Sequence, residues 1–225
     1  MSYEAVLFDN DGVLVEPIER AVLQRATWEA FDALGVSDPA DGDVERLAVG
    51  VTPDLLSEVC ATYDLDPERF WRARDYHSSH AQRAELRAGR AVLYDDFDTV
   101  RTVDAPRGIV SSNQQSTVEF MHDFFATGDL FETTYGREPT IRSLERKKPD
   151  PHYLHRALRD LDADSALFVG DSESDVLAAR NAGLDAAFVR RPHRRSYELS
   201  VDPTYELDGL DELTAIDGVP TTDSA

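Results

Sequence analysis

The chain has 225 residues, of which 41% are hydrophobic, and this suits one folded domain with room for an inserted subdomain. Its 44 acidic and 23 basic residues give a formal net charge of −21 without a basic stripe, which argues against a nucleic-acid partner. One cysteine, Cys60, excludes an intrachain disulfide, and no signal peptide or apolar run of membrane length is found, so we expect a cytoplasmic protein with no membrane contact.

The charged residues are unusual in their type as well as in the size of the net charge. Only two of the basic residues, Lys147 and Lys148, are lysines. Net repulsion opposes compaction, and molar salt screens it beyond about 3 Å. We therefore expect a protein of a salt-rich cytoplasm, with the acidic composition of a high-GC genome as the alternative. The first interpretation predicts that circular dichroism shows loss of structure on dilution from molar salt, and full stability at low salt would contradict it.

Four consecutive apolar residues, 5–8, predict a short strand that is buried on both faces. The strand ends on two carboxylates, Asp9 and Asp11, and Gly12 follows them. In open α/β sheets, ligands bind beyond the carboxyl ends of the strands, and a glycine there lets the backbone turn sharply and approach a ligand. We therefore expect Asp9 and Asp11 at the mouth of a crevice.

Residues 15–90 have helical spacing of apolar residues and no strand pattern. Capping residues mark where two of these helices begin, because each is followed by a proline suited to the first helical position. Cys60 falls in such an apolar pattern and is expected in the core. The predicted elements are a helix from Glu19 to Leu34 closed by Gly35, a polar turn from Asp38 to Asp43, a helix opened by Thr52-Pro53, and a helix opened by Asp66-Pro67 that runs to about Ala88.

The remainder alternates strands with helices, which predicts crossover connections and a parallel sheet. We expect an α/β fold, a Rossmann-like parallel sheet with helices on both faces and an inserted all-α cap. Residues 1–14 and 91–225 would form the core and residues 15–90 the cap. The predicted strands are 107–110, 131–135, 166–169 and 186–189, the helices are 116–125, 151–161 and 173–182, residues 204–216 form a short strand and helix, and 221–225 are a frayed tail.

Three further polar clusters flank these elements. They are residues 111–113 after a strand, 148–151 before a helix and 170–175 after a strand. Two of them lie at the carboxyl ends of predicted parallel strands, as Asp9 does, so we expect the clusters to converge on one crevice.

The clusters would bring together the carboxylates of Asp9, Asp11, Asp171 and Asp175. Like charges this close need compensation, and Mg²⁺ with oxygen ligands supplies it. One carboxylate can act as a nucleophile and form an aspartyl-phosphate, while a second protonates the leaving oxygen and later activates water. A lysine and a serine hydroxyl can hold the transferring group.

The order DNDGVL, IVSSN, KKPDP and VGDSESD resembles the haloacid dehalogenase-type hydrolase superfamily, in the phosphoglycolate phosphatase and β-phosphoglucomutase-like branch. The resemblance covers the sheet domain from end to end, and the helical insertion matches that superfamily's cap after the first strand. It implies a Mg²⁺-dependent phosphatase, similar to phosphoglycolate phosphatase, that acts on a small phosphorylated metabolite as a monomer or homodimer.

The resemblance also implies a role for each motif residue. Asp9 would be the nucleophile and Asp11 the general acid/base. Ser111 or Ser112 would contact the phosphoryl group, and Asn113 would help to bind it. Lys148 would stabilise the nucleophile and the transferring group. The metal ligands would be the side chains of Asp9, Asp171 and Asp175, the last directly or through water, and the backbone carbonyl of Asp11.

Other interpretations remain open for these residues. A calcium-binding loop at Asp9 would require an acidic residue at the position of Leu7. Residues 171–175 can be a solvated turn at the N-terminus of a helix. A phosphosugar mutase would need a basic residue in the first cap loop, and residues 49–53 contain none. A dehalogenase would lack Asp11. A non-catalytic phosphate-ester binding protein on the same fold is the remaining alternative.

Charged residues on the last cap helix give a weaker signal. Arg72, Arg74 and His77 can reach a substrate from there, but we interpret them as exposed charge. The histidine pairs 77/80 and 152/155 lack a third ligand and are interpreted as solvated helix surface.

Overall fold

The apolar run at residues 5–8 forms a strand in the middle of a six-stranded sheet whose pairings are all parallel. The structure, a computed structural model, describes residues 2–222. The strand order is β3-β2-β1-β4-β5-β6. The strands are β1 (Ala5–Phe8), β2 (Arg107–Gln114), β3 (Thr133–Arg137), β4 (Ala166–Gly170), β5 (Asp185–Val189) and β6 (Tyr205–Leu207).

Helices cover both faces of the sheet and form the cap. They are α1 (Arg20–Ala33), α2 (Asp41–Ala48), α3 (Pro53–Thr62), α4 (Pro67–Arg87), α5 (Gln115–Phe124), α6 (His152–Asp160) and α7 (Glu173–Ala182). Short 3₁₀ helices span Phe97–Thr102, Gly128–Leu130, Ile141–Glu145, Pro192–Arg194 and Leu210–Ala215.

Strand β1 divides the core into two layers because successive side chains point to opposite faces. Val6 and Phe8 join the apolar cluster that includes Met121 of α5. Ala5 and Leu7 join the other cluster, to which α6 and α7 contribute. All four strand residues are fully buried. The predicted α/β class, a parallel sheet with helices on both faces, is confirmed.

The first four helices pack around a separate apolar cluster. Phe31 of α1 is central to it, with its ring centroid 4.6 Å from that of Phe70 on α4. Cys60 is buried in this cluster, as predicted. The predicted caps also form, because Thr52 accepts a hydrogen bond from the Leu55 amide and Asp66 accepts one from the Arg69 amide.

Three predicted segments differ in the structure. The predicted polar turn at 38–43 is wrong at its end, because α2 begins at Asp41. This helix buries Leu47, and its acidic residues lie in the first turn, where negative charge is favourable. The closing helix is a 3₁₀ helix. The frayed tail is wrong for Thr221 and Thr222, which pair with the backbone of Val103 and Thr102, and residues 223–225 lie outside the described residues.

Between residues 2 and 222, no helix combines the length and the apolar character that crossing a bilayer requires.

Candidate active site

Lys148 connects two of the predicted motifs at the carboxyl edge of the sheet. Its Nζ lies 2.7 Å from Asp9 Oδ1 and 2.6 Å from Asp175 Oδ1, and all three side chains are buried. The ammonium also donates to the Val110 carbonyl at 3.2 Å. The two ion pairs and this hydrogen bond hold the ammonium between the two carboxylates.

The two charges respond to burial in opposite ways. Burial raises the pKa of Asp9 well above its ordinary value, although the Lys148 ammonium opposes this rise. Burial alone would lower the pKa of Lys148, but the carboxylates of Asp175 and Asp9 outweigh it and raise that pKa. The lysine is therefore a permanent cation at neutral pH, and ionised Asp9 depends on neighbouring positive charge.

Asp171 follows β4 and is held by two donors that the sequence did not indicate. Its Oδ2 lies 2.8 Å from His193 Nε2 and accepts a hydrogen bond from Arg194 Nε at 2.9 Å. Burial would raise the pKa of Asp171, but these two hydrogen bonds hold it below its ordinary value. Asp171 is therefore a carboxylate at neutral pH.

Two glycines let these carboxylates come close to the backbone. Gly12 has φ +87°, and a Cβ there would lie 2.5 Å from Asp171 Oδ2. A Cβ at Gly170 would lie 2.2 Å from the Cβ of Asp175. Both separations are shorter than real Cβ atoms show, so any larger residue would displace a carboxylate of the site.

The side chain of Asp11 accepts hydrogen bonds from neutral donors. Asn113 Nδ2 and Asn10 Nδ2 both lie 3.3 Å from its Oδ2, and Ser111 Oγ donates to the same oxygen at 3.3 Å. Burial raises the pKa of Asp11 although the two asparagines oppose it. An upward shift of the pKa favours the protonated carboxyl group, which is the form that a general acid needs.

The two candidate serines differ in what they touch. Ser111 is buried, donates to Asp11, and accepts a hydrogen bond from the Asn113 amide at 3.0 Å. The Ser112 hydroxyl makes no hydrogen bond within residues 2–222. Asn113 also donates to Gln82 Oε1 of α4 at 2.7 Å, so the cap helix touches the site through a buried amide. The geometry favours Ser111 over Ser112.

The sequence analysis did not identify a series of buried, hydrogen-bonded side chains behind the site. His122 Nε2 lies 2.9 Å from Asn10 Oδ1, and His122 Nδ1 lies 2.7 Å from Thr127 Oγ1. Burial lowers the pKa of His122 to about 4, so the ring is neutral. Since the Asn10 amide nitrogen faces Asp11, its oxygen must accept, and His122 carries the proton on Nε2. These hydrogen bonds fix the orientation of the Asn10 side-chain amide, which contacts Asp11.

The carboxylates form one candidate metal site. Asp9, Asp171 and Asp175 each place one oxygen so that the three atoms lie within 4.8 Å of one another. An all-oxygen set suits a hard cation such as Mg²⁺, and besides burial the charges of Asp175 and Asp171 raise the pKa of Asp9, a repulsion that a cation would relieve. The donor set therefore fits Mg²⁺. The Asp11 side chain lies outside this set.

Comparisons with known proteins identify similar chains. A family model described as haloacid dehalogenase-like hydrolase matches residues 6–189. The pyrophosphatase PpaX of Bacillus velezensis is 30% identical over 227 residues, covering 96% of each protein. The structure of CbbY from Rhodobacter sphaeroides in complex with phosphate matches with a TM-score of 0.72 at 24% identity, covering 96% of this chain and 99% of that one. A CbbY mutant from the same organism in complex with xylulose-(1,5)bisphosphate matches with a TM-score of 0.72 at 23% identity, covering 97% and 99%.

Proposed function

Because this chain belongs to the haloacid dehalogenase-like hydrolase family, we propose that it is a Mg²⁺-dependent phosphatase that forms an aspartyl-phosphate on Asp9. The observation that carries the proposal is the pair of differently placed carboxyl groups. Asp9 is bound by the Lys148 ammonium, whereas Asp11 is bound by neutral donors and has a raised pKa. Two carboxyl groups in such different surroundings suit one nucleophile and one acid.

In the first step, an Asp9 carboxylate oxygen bonds to phosphorus as the bond from phosphorus to the ester oxygen breaks. Asp11 gives its proton to that leaving oxygen, so an alcohol departs. Lys148 balances charge beside the nucleophile, and Ser111 and Asn113 donate to phosphoryl oxygens. When bound, Mg²⁺ supplies the positive charge that keeps Asp9 ionised and that offsets the charge of the phosphoryl group.

In the second step, Asp11, now a carboxylate, takes a proton from water as the water oxygen bonds to phosphorus. The acyl phosphate bond breaks, and Asp9 is released as a carboxylate with inorganic phosphate as the product. Asp11 ends with its proton restored, so the cycle can repeat. The buried chain through His122 keeps the Asn10 amide directed at Asp11 throughout.

The cap, for which we propose the boundaries 15–90, closes over the site and excludes water during the first step. Its contact with Asn113 through Gln82 supports this role. The substrate is a small phosphorylated metabolite of the class handled by phosphoglycolate phosphatase. Pyrophosphatase and bisphosphate-binding relatives support a compact phosphorylated substrate. We place the enzyme in a salt-rich cytoplasm, as a monomer or homodimer.

The proposal predicts hydrolysis of p-nitrophenyl phosphate in molar KCl that requires Mg²⁺. EDTA should lower the rate to the background level, because Asp9 then lacks the charge that keeps it ionised, and excess Mg²⁺ should restore it. Released p-nitrophenol and inorganic phosphate are both measured. Phosphate-ester binding without turnover would instead identify a binding protein. A requirement for a bisphosphate activator with little free phosphate would identify a mutase.

A further inference from the structure

Two segments that flank the proposed cap pair with each other beside the site. We call residues 13–16 the entry linker and residues 92–96 the exit linker. The Glu16 amide donates to a carbonyl of the exit linker at 2.9 Å, and the Tyr94 amide donates to a carbonyl of the entry linker at 3.2 Å. An antiparallel bridge forms between the same segments. A movement of the cap relative to the sheet therefore acts on this pairing.

Arg191, which follows β5, contacts both linkers. Its guanidinium donates to the Val13 carbonyl of the entry linker at 2.6 Å. It also donates to both carboxylate oxygens of Asp96 in the exit linker, at 2.6 and 2.9 Å, and its Cζ lies 3.8 Å from the ring centroid of Tyr94. The side chain is buried. Because the guanidinium is planar and its donors are fixed in direction, it holds the two linkers in one relative position.

The same loop also reaches the candidate metal site, and we call residues 191–194 the strap. His193 Nε2 and Arg194 Nε lie 2.8 and 2.9 Å from one carboxylate oxygen of Asp171. A 3₁₀ turn spans most of the strap, and within it the Arg194 amide donates to the Arg191 carbonyl at 2.7 Å. The strap is therefore a short, hydrogen-bonded connection with the two linkers at one end and Asp171 at the other.

Asp171 also lies against the turn that leads into the entry linker. A Cβ on Gly12 would lie 2.5 Å from Asp171 Oδ2, and the Gly12 amide donates to the Val15 carbonyl at 2.8 Å. The carboxylate is thus packed between this turn and the strap. Separation of the linkers from Arg191 would release the strap, and the carboxylate would then lose the contacts that hold it in the candidate metal site.

We propose that Arg191 is a positioning residue that couples the metal site to the linkers of the cap, so that a cation bound at Asp171 keeps the linkers paired. This inference rests on the proposed Mg²⁺-dependent function. Opening of the pairing frees the strap, and a freed strap no longer holds Asp171 in place. Since binding of the cation requires Asp171 in place, it disfavours opening of the linkers, and such coupling is reciprocal. The cap is therefore held most firmly in the metal-loaded protein.

Hydrogen exchange of backbone amides tests this coupling, measured by NMR in molar KCl with EDTA and with saturating Mg²⁺. Calorimetry gives the Mg²⁺ concentration that saturates each protein. In the wild type, Mg²⁺ should slow exchange of the Glu16 and Tyr94 amides about 5-fold or more beyond its effect on the Leu56 amide. The Leu56 amide donates to the Thr52 carbonyl in α3 of the cap and reports the general stabilisation that any bound ligand gives.

Arg191→Lys keeps a charge beside Asp96, but an ammonium cannot reproduce the planar fork that joins Asp96 to Val13. In this variant Mg²⁺ should slow the linker amides no more than it slows the Leu56 amide. A merely structural Arg191 would instead speed exchange equally with and without Mg²⁺, and the excess slowing would remain. Arg195→Met, which removes an exposed cation next to the strap, is the matched control and should keep the wild-type excess.

Each outcome decides the matter. A wild type that binds Mg²⁺ without excess slowing overturns the inference and leaves the phosphatase proposal intact, and an excess that survives in Arg191→Lys also overturns it. If Arg191→Lys does not fold, the double variant His193→Gln/Arg194→Met cuts the strap at its more exposed end, where survival of the excess is equally contradictory. A wild type that binds no Mg²⁺ in calorimetry rejects the metal requirement of the proposed function, and this inference with it.

Discussion

Asp9→Asn is expected to abolish turnover, by a factor on the order of 10⁴ or more, because an amide cannot attack phosphorus. The substitution keeps the size of the side chain and one oxygen, so Lys148 retains an acceptor at this position. Steady-state hydrolysis of p-nitrophenyl phosphate in Mg²⁺ measures the loss. Asp104→Asn, which removes one exposed carboxylate elsewhere, is the matched control and should keep wild-type activity.

The same variant should be as stable as the wild type, or more stable. Burial raises the pKa of Asp9, so the ionised form is unfavourable in the folded protein without a divalent cation, and the neutral amide removes that cost. Urea unfolding in molar KCl with EDTA measures the difference. Loss of activity with an unchanged or increased unfolding free energy separates a chemical role of Asp9 from a structural one.

Normal turnover by Asp9→Asn would overturn the nucleophile assignment. A crystal soaked with Mg²⁺ and beryllofluoride gives an independent answer, because this phosphate mimic should lie on the Asp9 carboxylate. Its appearance on Asp11 or on Asp171 would assign the reaction to a different carboxylate.

The sheet and its polar edge follow from local sequence patterns. Four apolar residues at 5–8 define a strand buried on both faces, and the parallel arrangement sends Asp9 and Asp171 to the same edge. Lys148 also lies at this edge, although it precedes a helix and does not follow a strand. Its position was predicted from the sequence motif and not from a periodic pattern of apolar residues. The roles of these residues in catalysis remain predictions.

Side chains that act through other side chains could not be predicted in this way. His122 lies within an ordinary amphipathic helix, and only the folded chain shows it against Asn10, which is 112 positions away. His193 and Arg194 follow β5 in a basic stretch without a recognised spacing, yet they meet Asp171. Such contacts depend on how elements pack, and a single sequence carries no periodic signal for them.

The surroundings of the charged side chains of Arg74 and Lys147 could not be predicted from the sequence either. A charged residue on a helix is usually solvated, and the sequence offers no reason to bury either one. In the fold, Arg74 packs on Trp71 and donates to backbone carbonyls at the end of α2, whereas Lys147 donates to the Val51 carbonyl in the cap loop. Burial of charge is a tertiary property, and the expectation that Arg74 is exposed charge is therefore wrong.

Lys148→Met is expected to cost about 3–5 kcal/mol of unfolding free energy, since removing one partner of a buried ion pair leaves the others uncompensated. Here one ammonium serves two buried carboxylates, Asp9 and Asp175. Turnover should fall at least as steeply, because the nucleophile loses its nearest cation. Urea unfolding in molar KCl with EDTA, so that no divalent cation compensates, measures the stability. Arg142→Met removes an exposed cation and should change the unfolding free energy little.

The double variant Asp9→Asn/Lys148→Met distinguishes electrostatics from lost packing. If the cost of Lys148→Met arises from unpaired carboxylates, Asp9→Asn removes one of them and should restore part of the stability, while activity stays absent. The coupling free energy from the four proteins of this cycle should then be clearly different from zero. Additive effects of the two substitutions would show that Lys148 does not stabilise the fold by pairing with Asp9, and its stabilising contacts would then be the ion pair with Asp175 and the packing on Phe168, whose ring centroid lies 5.4 Å from its Nζ.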